Sequence, residues 1–352
     1  MGVTTEKYAT LIDAKTILVR GTNWIGDVIM SLPAITALRE SCPQARITVL
    51  AKPWVADVYE LCGDVDDVMI FRSPGIHDGI AGKVRLAREL QSRNFDVAIL
   101  LQNAIEAAII TALARIPLRA GYNTDGRGLL LTHPVRRKRG IKELHQVEYY
   151  LEMVRSLGVP SSTKTVALRP HEADCFRAEA LLRDHGIGEK DLLIGLAPGA
   201  AYGPAKMWFP ERFAAVADRL ADASSAHVLL FGSGGDAPQT QKVRDHAKHS
   251  VIDLAGKTSL RETIALMARC SLFISNDSGL MHIAGALNVP LIAIFGSTNP
   301  VATSPPGENS IVIRKNVSCS PCLKKTCPTD FRCMDLIGVD EVCEVGIAML
   351  SK

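Results

Sequence analysis

What the chain lacks narrows the field first. No uninterrupted apolar run reaches the roughly 18 residues that span a bilayer. The start, MGVTTEKYATLIDAK, has no long apolar core followed by small residues at which a leader would be cleaved. A cytoplasmic protein is expected. Neither charge sign dominates: 40 Lys and Arg stand against 37 Asp and Glu, and the net +3 is too small to argue for a nucleic-acid partner. There is no low-complexity tract and no short-period repeat. The turn FGSGGDAP (231–238) lacks the full G-x-G-x-x-G spacing, so a nicotinamide dinucleotide is not indicated. With 47% hydrophobic and 22% charged residues the composition is that of an ordinary globular chain, which sets disorder and fibrous repeats aside.

What is there fits two domains, since 352 residues exceed one ordinary core. TILVR (16–20) predicts a strand that runs through GTNWIGD into the helical pattern VIMSLPAITALRE. ITVLA, DDVMIFR and FDVAILL continue as short β-rich runs, spaced widely enough for the crossover helices that parallel strands need. HQVEYYLEMVRSLGVP predicts a helix stopped by Gly158 and Pro160, and 160–170 reads as the linker. The pattern then restarts with LLIGLAPG, HVLLFGS, VIDLAG, LFISND and LIAIFG. The fold class expected is therefore α/β: a Rossmann-like doubly wound domain over 1–170, a second over 171–338, and a closing helix over 339–352 capped near Asp340. Open sheets of this kind bind ligands at the carboxyl ends of their strands, so the two domains should face a shared crevice.

Two segments of the second half carry the chemistry. In LFISNDSGLMH a buried strand gives way to a helix at Asp277, Ser278 and Gly279. A helix start offers unpaired N–H groups and partial positive charge to a diphosphate, with Gly279 allowing close approach. His282 follows Ser278 by four residues on the same face and would reach a phosphate or ribose; a capped structural helix with a satisfied histidine is the plainer alternative. In LAPGAAYGPAKMWF a glycine-rich turn again follows a strand, with Lys206 on a loop stiffened by Pro204 and anchored by Trp208. A lysine on a loop is ordinarily a solvated charge, but this one shares a domain and a strand end with the helix after Asp277.

In the first half GTNWIGD sets Asp27 at a helix start, where the positive end of the dipole favours the ionised carboxylate and leaves it able to accept a proton. A helix-terminal carboxylate without further role is the bland reading. Arg136, Arg137, Lys138, Arg139 and Lys142 form a basic run, either a solvated loop or a contact for an anionic partner. Of nine cysteines, Cys319, Cys322, Cys327 and Cys333 crowd into CSPCLKKTCPTDFRC. A structural zinc site, free thiols and disulfides are all compatible with that spacing, and its intervals are not those of a standard zinc ribbon.

PGAAYGPAKMW, NDSGLMHIAGALNVPLIAIFG and the amino-terminal WIGDVIMSLPAITALR together closely resemble the ADP-heptose:lipopolysaccharide heptosyltransferases of glycosyltransferase family nine, over nearly the whole chain and in the same order. The G-P-A-K-x-W loop favours the second type of these enzymes over the first. The resemblance implies a GT-B fold in a Gram-negative bacterium. It also implies inverting transfer of L-glycero-D-manno-heptose from ADP-heptose to the first heptose of the lipid A inner core. Transferases with another core acceptor, a GT-B nucleotide-sugar epimerase and a non-catalytic ADP-sugar binding module are the competing readings. It places Asp27 as catalytic base and Lys206 on the donor phosphates. Asp277, Ser278, Gly279, His282, Ala201 and Tyr202 would line the ADP-sugar site, with Thr258 of LAGKTSL near the adenosine. No D-x-D motif lies at the phosphate turns, so catalysis is expected to need no cofactor. The lipid acceptor implies peripheral contact with the inner membrane, for which the run from Arg136 to Lys142 is the candidate.

Overall fold

The structure is a computed structural model that describes residues 11–161 and 166–351. The chain divides into two compact units, Met1–Val166 and Ala167–Lys352, so the division falls inside the expected linker. Part of that linker, 162–165, lies outside the described residues.

Unit 1 is built on a six-stranded sheet of β1 (Thr16–Arg20), β2 (Arg46–Ala51), β3 (Asp67–Ile70), β4 (Val97–Leu100), β5 (Leu118–Tyr122) and β6 (His133–Val135), in the order β3-β2-β1-β4-β5-β6. Every pairing is parallel. Parallel strands covered on both faces become almost wholly apolar, which is why TILVR and VAIL carry so little polarity. Leu18, Leu50, Phe71, Leu86, Ala98, Ala107 and Ile110 form one core layer of this unit.

Unit 2 repeats the arrangement with β7 (Leu193–Ala197), β8 (His227–Leu230), β9 (Val251–Asp253), β10 (Leu272–Asn276), β11 (Leu291–Phe295) and β12 (Ser310–Arg314), in the order β12-β11-β10-β7-β8-β9. Counted within each unit, both sheets run 3-2-1-4-5-6, the doubly wound Rossmann order, all parallel, in which the order of the strands reverses between the first and fourth. Each half is thus Rossmann-like, the pair of folds from which a GT-B chain is made. Strand order puts the two switch points between β1 and β4 and between β7 and β10. The turn bearing Asp27 follows β1, and the segments PGAAYGPAKMW and NDSGLMH follow β7 and β10.

The helix Val339–Leu350 belongs to unit 2: Val342 and Cys343 are fully buried in its core with Trp208, Phe213, Leu272 and Ile294. Its cap residue is Gly338, two positions before Asp340, which stands in the first turn and pairs with Arg219 at 2.5 Å. Among the described residues no helix is long and apolar enough to cross a membrane.

Candidate active site

The site in unit 2 begins at the end of β10. Asn276 is fully buried, and its amide ties together the two ends of one loop. The Trp208 backbone N–H donates to its Oδ1 at 2.9 Å, and its Nδ2 donates to the Pro198 carbonyl at 2.7 Å. Both ends of the Pro198–Trp208 loop are therefore stitched to one side chain. Trp208 completes the anchor, its indole buried and its Nε1–H donating to the Ile337 carbonyl at 3.2 Å.

That stitching brings Lys206 to Asp277. Lys206 Nζ donates to Asp277 Oδ2 at 2.6 Å, and the Thr298 hydroxyl donates to the same oxygen at 2.5 Å. Lys206 is consequently not the solvated loop charge that its sequence position alone suggests. Asp277 serves as its anchor, itself almost wholly buried. Ser278 occupies the cap position of the helix Gly279–Ala286, but its side chain makes no capping bond. It shares a hydrogen bond of 3.1 Å with Ser275, so the first-turn N–H groups are not capped by it. His282 lies one turn in and is buried.

Neighbouring strand ends supply the rest of the rim. Asp236 of FGSGGDAP accepts from the Ser233 backbone N–H at 2.9 Å and its hydroxyl at 2.7 Å. A Cβ on Gly199 would stand 2.1 Å from the Asp236 carboxylate, so the two turns pack with no room for a side chain between them. Thr258 follows β9, the edge strand on that side of the sheet, and pairs with Thr263 at 2.8 Å. Ala201 and Tyr202 are exposed at the tip of the Pro198–Trp208 loop.

Asp27 stands in the first turn of the helix Ile25–Ser41, partly exposed. Residues that sequence reasoning passed over hold its turn. Arg20, at the end of β1, is buried and donates to the carbonyls of Gly21 at 2.5 Å and Leu50 at 3.2 Å and to Asn23 Oδ1 at 3.1 Å. Burial lowers its guanidinium to about 10. The Tyr59 hydroxyl accepts from the Thr22 N–H at 3.0 Å, and a Cβ on Gly21 would come within 2.5 Å of that oxygen. Burial, together with the negative charge of nearby Asp27, raises the Tyr150 phenol well above its ordinary value. The available signal was a lone arginine closing an otherwise apolar strand.

Arg136, Arg137, Lys138 and Arg139 are exposed and line an open basin of about 810 Å³ with Gly140, Ile141 and Glu143. Lys138 is paired with Glu152. The side chain of Lys142 lies outside the described residues. All nine cysteines are free thiols. Burial and the neighbouring Cys319, Cys327 and Cys322 push the Cys333 thiol up, so the four lie near one another. Among the described residues, however, no three His, Cys, Asp or Glu side chains are arranged to hold a metal ion.

Residues 83–331 match glycosyltransferase family 9 (heptosyltransferase). Lipooligosaccharide heptosyltransferase 2 of Haemophilus influenzae is 32% identical over 310 residues, covering 85% of this chain and 88% of that protein. Escherichia coli ADP-heptose LPS heptosyltransferase II superposes with a TM-score of 0.81 at 27% identity, covering 96% of this chain and 98% of that one. A family 9 glycosyltransferase from Veillonella parvula gives a TM-score of 0.86 at 27% identity, covering 97% and 98%.

Proposed function

The chain belongs to glycosyltransferase family 9, the heptosyltransferases, and from that premise we propose that it moves L-glycero-D-manno-heptose from ADP-heptose to the first heptose of the lipopolysaccharide inner core. The observation that carries the donor side is the buried triad of Lys206, Asp277 and Thr298, set among glycine-rich turns at the carboxyl ends of β7, β8 and β10. Such turns and the uncapped start of the helix Gly279–Ala286 suit a diphosphate. Asp277 acts here as the anchor of Lys206: the ion pair holds the ammonium at the strand end.

Inversion takes one displacement at the anomeric carbon. The acceptor hydroxyl oxygen bonds to that carbon as the bond to the β-phosphate oxygen breaks, ADP leaves with the electron pair, and the hydroxyl proton passes to Asp27. Lys206 and the helix N–H groups stabilise the charge gathering on the departing diphosphate. In this reading catalysis draws on no metal ion. The exposed run from Arg136 to Arg139 meets the anionic acceptor or lipid headgroups, giving peripheral contact with the membrane.

The test is Asp27→Asn, which keeps the shape of the side chain and removes the base. Heptose transfer should fall by at least about 10²-fold while ADP affinity, measured by calorimetry, stays at the wild-type value. Near-normal turnover would remove Asp27 from the mechanism.

A further inference from the structure

The cysteine-rich segment has no part in the reading above, yet it is zipped to the donor loop. The Tyr202 hydroxyl donates to the Leu323 carbonyl at 2.8 Å, and the Ala205 N–H donates to the Lys325 carbonyl at 2.9 Å. Between these bonds the backbones touch: a Cβ on Gly203 would stand 2.5 Å from the Lys325 carbonyl oxygen, and Gly203 has φ +151°. On its other side the segment is tied to the loop after β11, the Leu323 N–H donating to the Ser297 carbonyl at 2.8 Å. That carbonyl adjoins Thr298, the residue that bonds Asp277.

This arrangement delivers a second cation. Lys206 Nζ lies 5.1 Å from the centre of the Tyr202 ring and Lys325 Nζ lies 5.8 Å from the same centre, so one aromatic ring carries two lysines. Their charges are not equivalent. Lys206 is neutralised by Asp277 at 2.6 Å, whereas Lys325 is exposed and makes no ion pair with a carboxylate among the described residues. A diphosphate carries at least two negative charges. Lys206, already shared with Asp277, and the helix N–H groups meet only part of that charge, and a neighbouring unneutralised ammonium adds to what they supply.

We propose that Lys325 is a donor-binding residue, supplied by the cysteine-rich segment and fixed by Tyr202 and Gly203, that contacts the diphosphate of the nucleotide sugar. The inference rests on unit 2 binding an ADP-sugar, and the experiment separates the two. Lys325→Ala, Lys325→Arg and, as a neighbouring exposed control, Lys324→Ala are compared with wild type for binding of ADP and of adenosine by calorimetry. Lys325→Ala should weaken ADP about 10-fold or more, as for loss of a charge-assisted contact, and leave adenosine unchanged. Lys325→Arg should restore most of the ADP affinity, Lys324→Ala should change neither, and the ADP defect should shrink at high salt. Equal weakening of ADP and adenosine would make Lys325 a merely structural part of the loop and overturn the proposal, as would unchanged ADP affinity in Lys325→Ala. Failure of the wild-type protein to bind ADP at all would instead overturn the assignment of the donor site.

Discussion

Replacing Lys206 by Met isolates its ion pair with Asp277. The side chains of Lys206 and Asp277 are only 14% and 4% exposed, and their charged atoms are 2.6 Å apart. Removing one partner of a buried pair costs roughly 3–5 kcal/mol because the other charge stays desolvated. Thr298 still donates to the same Asp277 oxygen at 2.5 Å, which offsets part of that loss and leaves about 2–3 kcal/mol. For a unit of this size, each kcal/mol shifts the unfolding midpoint by roughly 2–4 °C, so a drop of about 4–12 °C is expected. Trp208 is the buried one of the three tryptophans and lies in the core of unit 2, so its fluorescence reports the transition directly. Adding Asp277→Asn to Lys206→Met removes the stranded charge and should recover most of the midpoint, a coupling of order 1–2 kcal/mol. A Lys206→Met protein that melts within about 1 °C of wild type, or a double mutant no more stable than the single, would refute the claim that Asp277 depends on Lys206.

Three further outcomes are expected. Gly21→Ala should destabilise unit 1 by about 1–3 kcal/mol, because the new Cβ would come within 2.5 Å of the Tyr59 hydroxyl; chemical denaturation measures it, and Tyr59→Leu in the same chain should restore part of the loss. Heptose transfer by protein treated with EDTA and returned to metal-free buffer should stay within about twofold of the untreated rate if, as proposed, Lys206 and the helix start carry the leaving-group charge; a loss restored by added Mg²⁺ would count against that. Reversing Arg136, Arg137 and Arg139 to Glu should weaken sedimentation with vesicles containing anionic lipid by at least about 10-fold at 0.1 M salt, with neutral vesicles unaffected.

Local pattern carried much of the fold into view. TILVR, LFISN and LIAIF are buried on both faces and read as strands from composition alone. Three other strands, β5, β6 and β12, escaped notice for physical reasons. LRAGY mixes Arg and Gly into a short run, HPV carries the proline that only an edge strand tolerates, and SIVIR is an edge strand only partly buried. The turns bearing Asp27, Lys206 and Asp277 were legible as glycine-rich strand-to-helix junctions. Their supports were not: Lys206 meets Asp277 across 71 positions of sequence, and Asn276 reaches back 78 positions to Pro198. Pairings of that length are fixed by strand order, and no local window contains them. The partner of Asp340 in the closing helix was equally hidden, since Arg219 lies 121 positions away.

What accepts the sugar decides the proposed activity. Purified protein incubated with ADP-heptose and either Kdo2-lipid A or heptosyl-Kdo2-lipid A, with products resolved by mass and anomeric configuration, tests it most directly. One added heptose of inverted configuration is expected on the heptosylated acceptor and none on the other. Preferential heptosylation of bare Kdo2-lipid A, or conversion of ADP-heptose without any acceptor, would contradict it.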